Sequence, residues 1–156
     1  MQSSQQSLAA SQAQAQAQQQ AQAQAPPPDV LYNNAIRDYN GAKNDLAVQE
    51  FSDYIKFYPN TDLAGNCYFY LGEIQFRQGN YEQAAQSYDQ VLQNFPTGSK
   101  AASAQLKKAF ALIELGKQED GVAELRRVIQ RYPKSNEALQ ARERLRKLGV
   151  STRPGE

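Results

Sequence analysis

The residues with the most chemical potential in this chain are its single cysteine, Cys67, and three carboxylates that follow it, Glu73, Glu82 and Asp89. A thiolate can be a nucleophile or a metal ligand, and two carboxylates within reach of one substrate can serve as general acid and base. Neither chemistry is assembled here. The 156 residues contain no His and only one Cys, which excludes imidazole catalysis, a His/Cys metal cage and an internal disulfide. Ser and Tyr hydroxyls would need a Lys or a carboxylate as base. Glu73, Glu82 and Asp89 fall on different faces of their helical pattern, and no Gly-rich loop follows a strand pattern. We therefore assign no catalytic residue, no metal site and no cofactor. Cys67 falls near a helix start, where the dipole lowers a thiol pKa, but a lone cysteine in a helical pattern reads first as a small packing residue.

The elements that would position any functional group come from a repeat. Tyr58-Pro59, Phe95-Pro96 and Tyr132-Pro133 recur at a spacing of 37 residues. The same register aligns Phe51, Tyr88 and Leu125; Ala47, Ala84 and Gly121; Tyr54, Val91 and Val128; and Ala35, Gly72 and Ala109. In the middle unit the apolar spacing is helical in two pieces, Tyr68 to Phe76 and Tyr81 to Leu92, separated by Gly79-Asn80. Gly79 supplies a left-handed helix end, and Asn80 with Gln83 three residues on resembles a capping box. Gly116 repeats the break, Ala42 occupies it less well, and the Pro of each pair stops the second helix. The small aligned residues let neighbouring backbones approach closely. This is an all-α solenoid of three helix-turn-helix units, about 28–61, 65–98 and 102–135, closed by a capping helix over 136–148 that Ser135 starts and Gly149 ends.

The ends differ from the middle. Residues 1–25 hold eleven Gln, eight Ala and four Ser without one charge, so 1–28 is expected to be a disordered or transiently helical linker. It has neither the basic start nor the apolar stretch of a targeting signal. Residues 149–156 are expected to fray. The net charge is only +1, yet Arg126 to Arg153 carries nine basic and two acidic residues while Asp29 to Asp62 carries six acids and three bases. That asymmetry suits a solvated cap, an acidic partner or end-to-end association. Nucleic acid is not expected, because no aromatics interleave with the Arg and Lys of the last helix.

Tyr68-x-x-Leu71-Gly72, Gly79-x-Tyr81-x-x-Ala84, Tyr88-x-x-Val91 and Pro96 resemble the tetratricopeptide repeat, whose unit is about 34 residues. Within it, Leu31-Tyr32-x-x-Ala35, Phe51 to Pro59-Asn60-Thr61, Ala64 to Glu73 and Tyr132-Pro133-Lys134-Ser135 are similar to the C-terminal domain of the Tol-Pal-associated periplasmic YbgF/CpoB family of cell division coordinators, over about residues 29–148. A departure is Lys108-Ala109, where that family more often has an apolar residue and Gly. The longer unit is typical of a bacterial envelope subgroup. The resemblance implies that 1–28 is the polar linker that follows a signal and an oligomerising coiled coil in that family. It also implies a periplasmic location, or a cytoplasmic one if the chain is complete.

The tetratricopeptide pattern further implies a concave groove lined by the first helix of each unit: Tyr32, Ile36 and Tyr39, then Asn66, Phe69, Glu73 and Phe76, then Ser103, Leu106 and Phe110. Aromatics with a few polar groups suit a peptide segment of a partner protein. The expected function is a non-enzymatic adaptor of the cell envelope. By resemblance its partners are TolA or peptidoglycan-synthesis proteins, and it links outer-membrane constriction to wall synthesis in division. Direct membrane insertion is not expected, and oligomers are expected only if a coiled coil precedes residue 1. Two alternatives stay open: an outer-membrane-protein assembly adaptor (BamD-like), which a lipidated N-terminal Cys would favour, and a structural oligomerisation module.

Overall fold

A computed structural model of the chain describes residues 2–155, and the side chains of 3–20 and 24–155. Met1 and Glu156, the outermost residues of the expected linker and tail, lie outside the described residues. The described residues form eight helices and no strand: α1 (Gln2–Gln24), α2 (Pro28–Asn40), α3 (Asn44–Phe57), α4 (Asp62–Arg77), α5 (Tyr81–Asn94), α6 (Ala101–Glu114), α7 (Gln118–Arg131) and α8 (Asn136–Leu148). They divide into two units, one ending at Asn60 and one beginning at Thr61.

The first unit is the α2–α3 hairpin with α1 against α3. Leu31 and Ala35 from α2 and Ala47, Phe51 and Tyr54 from α3 are its buried apolar residues. Tyr39 meets Phe51 edge to face with ring centroids 6.4 Å apart, and Tyr32 meets Tyr54 likewise at 6.1 Å. The turn is left-handed at Ala42, φ 59°, the conformation that Gly79 and Gly116 adopt in the later hairpins. A Cβ makes that conformation costly, by about 1–2 kcal/mol.

Residues 2–24, within the segment expected to be a disordered or transiently helical linker, form a helix. Ala is the best helix former and Gln is close behind it, while Gly, Pro and β-branched residues are missing until Pro26. Low apolar content argues against a core, and helix formation needs none. Gln18 ties α1 to α3. The Gln18 side-chain amide donates to Lys56 O at 2.8 Å and to Phe57 O at 3.1 Å, satisfying carbonyls in the last turn of α3. The hydroxyl of Tyr58 donates to Pro26 O at 2.7 Å, and Pro28 opens α2 where its missing N–H costs nothing.

In the second unit each helix from α4 to α8 packs on the next. The small columns set the spacing. A Cβ on Gly72 would lie 2.6 Å from Cε1 of Tyr88, so the α5 ring rests directly on the α4 backbone. One core cluster holds Phe69, Ala84, Tyr88, Val91 and Ala104; another holds Leu106, Ala109, Val122, Leu125, Val128, Ala141 and Leu145. Ser135 caps α8, its Oγ accepting from Ala138 N at 3.0 Å, and Gly149 ends it at φ 73°.

Two details differ from expectation. Asn80 makes no side-chain cap: its ψ of 68° is not extended, and the turn closes through backbone bonds from Asn80 N to Gln75 O and from Ala84 N to Asn80 O. The tail does not simply fray after Gly149. Val150 packs on the second core cluster, and Ser151 O accepts from Arg126 Nε at 3.2 Å and Nη2 at 3.0 Å. Among the described residues no helix is long and apolar enough to cross a membrane.

Candidate functional site

The ten expected groove residues divide between the two units. Tyr32, Ile36 and Tyr39 lie half-buried on α2 of the first unit, the two Tyr rings leaning on core aromatics. In the second unit Asn66, Glu73 and Phe76 of α4 and Ser103 and Phe110 of α6 are half-buried and present part of their surface. Phe69 and Leu106 do not. Phe69 is 8% exposed and Leu106 only 2%, and both belong to core clusters. The helix two places on closes over each: Ala104 of α6 is small enough to let α6 settle against Phe69 of α4, and Ala141 and Leu145 of α8 join Leu106 of α6. These two are packing residues, a correction to the groove inferred from the repeat pattern.

Stacking adds residues to this face that the sequence reading did not name. Lys107 Nζ lies 5.6 Å from the centroid of Phe76 and 3.9 Å from Glu73 Oε2. Lys100 Nζ lies 5.3 Å from the ring centroids of both Phe69 and Tyr70. Arg144 of α8 covers Phe110 with its guanidinium carbon 4.3 Å from the centroid. Each cation comes from the start or the body of the helix two places after the one that carries the ring, and each such contact contributes about 0.5–1 kcal/mol when exposed. The carboxylates are anchored as well: Glu73 Oε1 accepts from the Tyr88 hydroxyl at 2.6 Å, and Ser103 Oγ donates to Glu137 Oε1 at 2.8 Å. The spacing of Ser103, Lys107 and Phe110 along one stripe of α6 was the available signal for Lys107. Beside Phe110 a cavity of about 360 Å³ is lined by Leu139, Arg144 and Lys147, with Leu139 62% exposed.

Buried polar groups in both units serve packing. Asp38 and Glu50 hydrogen-bond across the α2–α3 hairpin. Burial first, then the hydrogen bond and charge of Asp38, push the Glu50 carboxyl up to about 7. The hydrogen bond from Glu50, helped by Arg37 and Lys43, holds Asp38 low. In the second unit Glu124, 6% exposed, accepts from Gln105 Nε2 at 3.0 Å and pairs with Arg127 and, at 3.6 Å, with Lys108, which also reaches Asp89 at 2.9 Å. Cys67 is fully buried, and burial pushes its thiol up, away from the reactive range.

Stacked helical hairpins with an aromatic and charged outer face define a repeat protein whose working part is surface. The tetratricopeptide repeat profile matches residues 32–99 and 71–136, and the chain belongs to that family. Such repeats generally mediate protein–protein interaction. Among solved structures the chain is similar to the TPR domain of OM64 from Arabidopsis, at 21% identity over 78% of this chain and 95% of that one with a TM-score of 0.65, a likeness that shows the fold. No curated protein matches it.

Proposed function

We propose that the chain is a non-enzymatic adaptor of the bacterial cell envelope that holds a peptide segment of a partner on the first-helix face of its repeats. The observation that carries this reading is the row formed by Glu73, Phe76, Lys107, Ser103, Phe110 and Arg144, in which half-buried rings alternate with anchored charges. Rings supply contact area at low entropic cost, and fixed charges set the register of an extended segment. Tyr32, Ile36 and Tyr39 are the first unit's own contact residues.

The periplasmic setting, and a role coupling the Tol-Pal machinery to peptidoglycan synthesis in division, rest on the sequence likeness of residues 29–148 to the YbgF/CpoB family. TolA and wall-synthesis proteins are accordingly the proposed partners. The test is cross-linking of the full chain in a cell-envelope extract, together with titration against the purified periplasmic part of TolA. Phe76→Leu with Phe110→Leu, which keeps most of the apolar packing of both rings on the core clusters, is expected to weaken capture strongly while circular dichroism shows the fold retained. Recovery of cytosolic proteins alone would sink the envelope setting. Recovery of unfolded outer-membrane proteins in place of Tol-Pal components would point to assembly.

A further inference from the structure

A second binding feature lies away from the first-helix face. A cavity of about 720 Å³ opens between α7, α8 and the tail, and four of its ten lining residues are arginines: Arg126 and Arg127 on α7, Arg142 on α8 and Arg153 on the tail. None of the ten is acidic or aromatic. Ile129 and Pro133 supply an apolar wall.

The arrangement is held by specific bonds. Arg126 grips Ser151 O with Nε and Nη2, and Ser151 Oγ donates to Arg153 O at 2.5 Å, so the tail turns back and brings Arg153 to the rim. Arg127 is steadied by Glu124, whose other oxygen is engaged by Gln105 within the core. Arg142 and Arg153 form no ion pair among the described residues, and both are exposed. They face solvent within a stretch of nine bases and two acids from Arg126 to Arg153.

We propose that this cavity binds an acidic peptide segment, whose carboxylates pair with Arg142 and Arg153 while its aliphatic stems rest on Ile129 and Pro133. Guanidinium forks match carboxylates in a bidentate geometry. The volume lies within the roughly 300–1,000 Å³ of small-ligand sites, which suits a few side chains and not a duplex. A single-stranded nucleic acid would want rings to stack on, and the lining has none. The proposal stands apart from the first-helix face, and either site can fail without the other.

Fluorescence anisotropy of labelled hexaglutamate with the full chain at low salt tests it, with hexaglutamine and a six-nucleotide single-stranded DNA as comparison probes. Hexaglutamate is expected to bind and hexaglutamine not. Arg142→Gln and Arg153→Gln should each weaken binding about tenfold, the loss expected for one charged hydrogen-bonded contact. Arg131→Gln, on α7 but outside the cavity, should change it by about twofold or less. Circular dichroism should be unaltered in all three. Equal losses in all three variants, tighter binding of the DNA than of hexaglutamate, or no hexaglutamate binding would each overturn the proposal.

Discussion

Where the two helices of a hairpin face each other, the α2–α3 hairpin places Asp38 against Glu50. Thirty-seven residues on, α4–α5 places Gln75 against Ser87, and α6–α7 places Leu112 at the first position and Glu124 at the second. The same pair of columns is satisfied in three ways. Ser87 Oγ donates to Gln75 Oε1 at 2.6 Å, a neutral bond indifferent to pH. Leu112 offers no acceptor, so Glu124 turns to Gln105, Lys108 and Arg127. Two acids can bond only by sharing a proton, so the pair in the first hairpin ties its packing to a titration. A repeat thus dictates where a polar group must be matched, and the individual residues decide with what.

The largest effect that would sharpen this contrast comes from a column where the units agree. Leu at Gly72 should cost about 3 kcal/mol in urea unfolding of the second unit, because even a Cβ there meets the Tyr88 ring, whereas overpacking elsewhere is often milder. A loss below about 1 kcal/mol would mean that the ring can swing aside. Next is Glu124→Ala, which strands the buried Gln105 amide, leaves Lys108 with Asp89 alone and should cost about 2 kcal/mol. If stability is unchanged, the third polar solution is ornamental and the contrast breaks.

Ala42→Gly should go the other way and stabilise the first hairpin by about 0.5–1 kcal/mol, giving it the turn residue of its neighbours. An unaltered melting curve would show that the φ of 59° carries little strain there. The smallest effect at neutral pH concerns the acid pair. Glu50 is raised in the folded state, so its contribution is complete below its ordinary value of 4.5 and fades as pH rises through about 7. Asp38 is lowered, so its contribution is present above its ordinary 3.8 and fades in stronger acid. The first hairpin should therefore unfold at lower urea at pH 7.5 than at pH 5, followed by NMR of its own amides. Asp38→Asn should flatten that slope, and equal midpoints for the parent at both pH values would remove the titration from the comparison.

Much of the fold was legible because it depends on spacing along the chain. The Tyr-Pro and Phe-Pro stops, the left-handed breaks at Gly79 and Gly116, the Ser135 cap and the small columns are local matters of φ, capping and helical period. Cys67 read correctly as packing for the same reason. The candidate site was less legible. Asn66, Glu73, Phe76, Ser103 and Phe110 keep an open side, but Phe69 and Leu106 occupy equivalent places in the pattern and are covered. Their fate depends on how closely the helix two places on can approach at the contact. Lys100, Lys107, Glu137 and Arg144 entered the surface only through stacking, since each sits on or beside a different helix from the group it meets.

By itself, then, the sequence determined the repeat and its helices and turns, because those follow from residue types and short-range geometry. The tertiary structure decided which aromatic rings remain at the surface, which cations cover them, how α1 is anchored by Gln18, and that Arg126 folds the tail back to complete an arginine-lined cavity. Those are outcomes of contact between residues distant in sequence, and no local period encodes them.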